Sequence, residues 1–81
     1  MSKDITYEAF KSSIEKDFES YLQEENKEIT FNLNEMEEII EDYLITVKCE
    51  IEHIKIKNHN KKDNLEIAKI ILIDYCSILP F

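Results

Sequence analysis

The sequence predicts an all-α fold, a small three-helix antiparallel bundle forming one acidic domain over residues 1–81. Three observations carry that prediction. Apolar residues recur at three- and four-residue steps along two long stretches. A third stretch, Leu65–Leu79, is apolar nearly all round, with only Glu66, Lys69, Asp74 and Ser77 strongly polar. Short connections separate the three, as antiparallel neighbours require. A chain this size has room for one core and buries only about 60–65% of its unfolded surface, so it must be tightly packed or self-associated.

The first helix is expected over residues 6–25. Tyr7, Phe10, Ile14, Phe18, Tyr21 and Leu22 share one face, and Glu8, Glu15, Asp17, Glu19 and Glu24 lie off it. Thr6 is a suitable N-cap, with Ile5 and Phe10 at the positions of a hydrophobic staple. Asn26 suits the left-handed conformation that ends many helices.

Residues 28–33 alternate apolar and polar at Ile29, Phe31 and Leu33, the period of a strand. The only matching partner is 53–57, HIKIK, so the bundle has scope for a short two-stranded β element from these two stretches. Such a pair is marginal by itself.

The second helix is expected over residues 35–56, carried by Met36, Ile39, Ile40, Tyr43, Leu44, Val47, Ile51 and Ile54. Two capping boxes compete at its start, Asn32 with Glu35 and Asn34 with Glu37. Acids crowd its first turns and Lys55 and Lys57 its end, as the helix dipole favours. Residues 58–62 form the most loop-like stretch, and Asp63 caps a third helix over 64–79 that Pro80 stops. The apolar arc of that helix is wide for a three-helix monomer, which predicts either a homodimer through helix 3 or a docking groove.

Composition excludes more function classes than it suggests. The chain has no glycine, which removes dinucleotide fingerprints, phosphate-binding loops and nucleophile elbows. All ten basic residues are lysine, so no guanidinium is present to read guanine or to clamp phosphate. No secretory leader or membrane-spanning run is visible, and a cytoplasmic location in a bacterium or phage-infected host, with Cys49 and Cys76 reduced, is expected. Fourteen isoleucines, with abundant Lys and Asn, point the same way, to an AT-rich genome.

Chemistry-bearing clusters are sparse. Cys49 and His53 share a helical face and His59 follows, but no fourth metal ligand has matching spacing, and no third group orients a Cys–His nucleophile. No metal, cofactor or catalytic residue is therefore assigned, and a non-enzymatic role is expected. Residues 53–62 are rich in lysine and could touch nucleic acid, a weak footprint on a chain of net charge −8.

The charge itself is uneven. Residues 1–45 carry a net −9 and residues 46–81 a net +1. Glu8, Glu15 and Glu19 on helix 1, with Glu35, Glu38 and Asp42 on helix 2, are the candidate partner-binding residues, an acidic track drawn to a basic protein. The function expected is an acidic protein–protein interaction module of inhibitor type (phage anti-defence, immunity or antitoxin) that docks on a basic nucleic-acid-handling protein. Such a track would imitate a phosphate backbone in its strongest form. The alternatives are a homo-oligomeric assembly adaptor and a small nucleic-acid-binding regulator.

Overall fold

The computed structural model describes residues 3–25, 33–59 and 62–78. The fold is all-α with three helices, joined by a two-stranded parallel sheet. Its order is β1 (Lys3–Ile5), α1 (Tyr7–Glu24), α2 (Leu33–Glu52), β2 (Ile54–Ile56) and α3 (Asn64–Ile78).

Helix α1 starts where its cap places it. Thr6 is extended, its Oγ1 accepts the Ala9 N–H at 3.1 Å, and its carbonyl accepts from the Phe10 N–H. Phe10, Ile14, Phe18 and Leu22 form its buried face. The C-cap is Glu25, whose N–H donates to the Tyr21 carbonyl, and Asn26 lies outside the described residues. Helix α2 begins at Leu33, so Asn34 stands inside the first turn and its capping box does not form. Asn32 lies outside the described residues.

The end of α2 differs from the sequence expectation. The helix stops at Glu52, not at 56, and Ile54–Ile56 forms β2. In a helix, residues two apart point to nearly opposite faces, so Ile54 and Ile56 could not both turn inward. As a strand they share a face, with Ile56 buried, Ile54 half-buried and Lys55 exposed between them. Lys55 and Lys57 therefore do not serve the α2 C-terminus.

The partner of β2 is β1, in parallel register Lys3↔Ile54, Asp4↔Lys55 and Ile5↔Ile56. The Lys57 N–H extends the ladder to the Ile5 carbonyl at 2.9 Å. The expected partner, 28–33, falls in residues 28–32 outside the described set, while Leu33 is helical. Two parallel strands need a long crossover, and α1 with α2 supplies it. Asn58 follows β2 with φ of 61°, a left-handed conformation that asparagine tolerates better than most residues.

Helix α3 opens on Asp63, whose Oδ1 accepts the Leu65 N–H at 3.2 Å and whose carbonyl accepts the Ile67 N–H. The Asn64 amide donates to the Ile51 carbonyl at 3.1 Å and to that of Ile54. One side chain thus ties the end of α2, the start of β2 and the start of α3 together.

Paired positions give the directions. Asp17 meets Tyr43 and Tyr21 meets Asp42 across α1 and α2, while Asn64 meets Ile51 and Lys69 meets Glu41 across α3 and α2. Successive helices are therefore antiparallel, and α1 and α3 run the same way.

Helix α3 packs closely on both α1 and α2, with Ala68 and Leu72 wholly buried. Helices α1 and α2 hold their backbones farther from each other than either does from α3. The gap between them is spanned by rings, with Phe18 edge-on to Tyr43 at 5.2 Å and Tyr21 tilted against Tyr43 at 5.2 Å. The wide apolar arc of α3 is not fully covered. Ile70 is 45% exposed, Leu65 and Ile73 are half-buried, and Ile45 on α2 is 75% exposed.

Candidate protein-binding surface

The acids of α1 divide along the two flanks of its buried stripe. Asp17 points to α2, where its Oδ2 accepts the Tyr43 hydroxyl at 2.5 Å. Glu19 points to α3, where its Oε2 meets the Tyr75 hydroxyl at 3.4 Å. Glu8 and Glu15 stand at helical spacing from Glu19 and share its flank. Glu8 also lines a recess with Lys57 and His59, so its surroundings are of mixed charge.

On α2 the division runs the other way. The Asp42 Oδ2 accepts the Tyr21 hydroxyl at 2.6 Å, which puts it on the α1-facing flank. Glu35 and Glu38 are exposed and in line with it at steps of three and four. Glu41 faces α3 and pairs with Lys69 at 3.1 Å.

The structure thus brings Glu35, Glu38 and Asp42 together as one stripe, and Glu8, Glu15 and Glu19 as another. It does not bring the two stripes side by side, because the second lies on the far flank of α1. The α1 acids that do face α2 are Asp17 and Glu24, and Glu50 joins them from α2. Sequence reasoning did not select these three. The signal was present: Asp17 and Glu24 stand at the same helical spacing from Tyr21 as buried neighbours do, at the margin of the apolar stripe.

Two adjoining recesses run along the α1–α2 seam. One, of 260 Å3, is lined by Asp17, Ser20, Tyr21, Glu24, Thr46 and Glu50 among others. The other, of 170 Å3, has a mostly apolar lining that includes Ile5, Phe10, Ile51 and Ile54. Asp17, Tyr43, Val47 and Glu50 border both. Among the described residues no lysine lines either recess.

Tyrosines set the electrostatics of the seam. Burial, with the bond to Asp17 and its charge, pushes the Tyr43 hydroxyl well above the usual tyrosine range. Burial and the Asp42 carboxylate push Tyr21 up to about 12. Burial and Glu19 raise Tyr75. All three hydroxyls stay protonated at neutral pH and donate to carboxylate oxygens on a neighbouring helix. The bonds therefore hold the helices together while keeping the negative charge at the surface.

The other clusters are separated by the fold. Cys49 is exposed on α2 and Cys76 is buried in the core, where burial raises its thiol to about 11. His53 lies in the turn before β2, and the His59 ring stacks on Tyr7 at 4.6 Å. Among the described residues, no group of three or more His, Cys, Asp or Glu could hold a metal ion. Lys55, Lys57 and Lys62 are exposed around the turn after β2. Among the described residues, no helix is long and apolar enough to cross a membrane.

Comparison with protein-family models, with curated proteins and with solved structures finds no match for this chain.

Proposed function

We propose that this chain is a non-catalytic protein–protein interaction module, an acidic inhibitor of the phage anti-defence, immunity or antitoxin kind. It works in the cytoplasm by docking on a basic surface of a nucleic-acid-handling protein. The observation that supports this reading is the stripe Glu35, Glu38 and Asp42, exposed along α2 beside further acids of the seam. Opposite charge steers such a surface onto a basic one and gives specificity through register. Glu8, Glu15 and Glu19 widen the anionic field from the other flank of α1 without extending the same contact.

Replacing Glu35, Glu38 and Asp42 together by lysine tests the proposal, with Tyr21→Phe as the control for the hydrogen bond that Asp42 also loses. Each reversal in a docked interface is worth on the order of 1 kcal/mol, so the triple change is expected to weaken binding about 100-fold. Affinity capture from a bacterial lysate, with wild type and variant at low and high salt, reads this. A basic partner held by the wild type and lost with the variant supports the proposal, and undiminished capture by the variant contradicts it.

A second reading, a homo-oligomeric assembly adaptor, is favoured by exposed Ile45 and Ile70 on α2 and α3. Light scattering separates the two: a mass that doubles with concentration and ignores salt belongs to the adaptor.

A further inference from the structure

We infer that the α1–α2 seam is a groove for a basic amphipathic helix of the partner, with an apolar side chain seated over Val47 and lysines or arginines reaching Asp17, Glu24 and Glu50. The inference rests on the reading of an acidic docking module and adds the form of the segment that module receives. Four features carry it.

The seam is open because α1 and α2 meet through rings, with their backbones apart. Its two recesses adjoin, and the α1 side from Phe10 to Glu24 gives a length of about 21 Å at 1.5 Å per residue, three to four turns of helix.

The lining has two characters. Val47, Ile5 and Ile54 are half-buried, so apolar surface remains at the floor. Asp17, Glu24 and Glu50 are exposed at the edges, and among the described residues no lysine lines either recess. An apolar floor between acidic edges complements an apolar stripe between basic flanks, and a uniformly basic surface would leave the floor unfilled.

The long walls are helices, and strand residues, Ile5 and Ile54, line only the apolar recess. Along α1 and α2 the backbone N–H and C=O groups are bonded within each helix, so an extended peptide would find no ladder to join there. An occupant must satisfy its own backbone, which a helix does.

One of the three carboxylates is held in place. Asp17 is fixed by the Tyr43 hydroxyl, so little of its side-chain freedom is lost when a cation arrives.

The experiment uses two amidated 14-residue peptides of identical leucine and lysine content. One has leucines at helical spacing, and the other has its order scrambled to destroy that face. Both are titrated into the isotope-labelled full chain at low salt, with chemical shifts followed residue by residue. The patterned peptide is expected to bind one to one, to shift Ser20, Thr46 and Val47 most, and to bind at least about tenfold tighter than the scrambled one. Val47→Arg is expected to remove about tenfold or more of that affinity with an unchanged far-ultraviolet spectrum. If Val47→Arg perturbs the fold, Thr46→Lys, at an exposed site, is expected to cause the same loss of affinity. Equal binding of the two peptides overturns the groove and leaves the acidic docking module standing. Binding that ignores both variants, or shifts centred on Ile45 and Ile70, overturns the groove also. No binding of either peptide at low salt overturns both.

Discussion

Phe18→Ala is expected to remove about 3–5 kcal/mol of stability, the usual cost of deleting a fully buried aromatic ring. Phe18 is wholly buried, stacked beside Tyr21 at 6.3 Å and edge-on to Tyr43 at 5.2 Å. It stands at the point where α1 and α2 are joined by rings, so its removal leaves a cavity between the two helices. A domain of this size has a total stability of roughly 4–12 kcal/mol, and the single change takes a large share of it. Urea unfolding followed by circular dichroism measures the loss. Phe18→Leu, which keeps most of the volume, should lose far less. A loss below about 1 kcal/mol for the alanine variant would mean that the ring is not where the fold puts it.

Stability is expected to fall steeply at alkaline pH, beginning near pH 9. Burial raises the Cys76 thiol from 9.0 to about 11, and burial with Asp42 raises Tyr21 from 10.0 to about 12. Burial first, and then the Asp17 and Glu19 carboxylates, raise Tyr43 and Tyr75 as well. Above the ordinary value of each group the unfolded chain releases its proton while the folded chain keeps it. The folded state then holds more protons, so stability falls as pH rises. Below pH 9 both states are protonated at these groups and they contribute no slope. Each deeply buried group adds up to about 1.4 kcal/mol per pH unit, so Cys76 and Tyr43 together give on the order of 2 kcal/mol per unit between pH 10 and 11. Urea midpoints from pH 7 to 11 measure this, with absorbance near 295 nm reporting tyrosinate. Tyr43→Phe should flatten the slope above pH 10. A midpoint unchanged up to pH 11 would contradict the burial of these hydroxyls.

Helices α1 and α2 were legible because each has a period, and α3 because its long apolar run is bounded by Asp63 and Pro80. Thr6 and Asp63 were legible as caps for a local reason: each bonds an amide two or three residues away. The sheet was half legible. Ile54 and Ile56 show the strand period, but three residues at Lys3–Ile5 are too few to show any period, and their partner lies beyond both α1 and α2 in the chain. The extra turn assigned to α2 arose from the same ambiguity, since Ile51 and Ile54 also fit a helical step. Asn64 left no signal, because its two acceptors are carbonyls of distant residues.

The candidate site was legible in its charge and not in its geometry. A helical wheel places Glu8, Glu15 and Glu19 on one stripe, but it does not say which neighbour that stripe faces. That choice is made by Tyr75, Tyr43 and Tyr21, each of which selects a carboxylate on another helix. Asp17 and Glu50 look like ordinary solvated acids until those contacts are known. The Glu35, Glu38 and Asp42 stripe was legible because all three belong to one flank of one helix.

Tyrosine–carboxylate bonds join α1 to α2 over an open seam, and both the docking surface and its groove depend on that join. A double-mutant cycle with Tyr43→Phe and Asp17→Ala tests it most directly, with urea unfolding of the wild type, both single variants and the double variant at pH 7. The two single losses should exceed the double loss in sum by about 1 kcal/mol, as a charge-assisted hydrogen bond at a partly buried site requires. Losses that add to within about 0.3 kcal/mol would show that Tyr43 and Asp17 do not meet, and the seam would not be built as described.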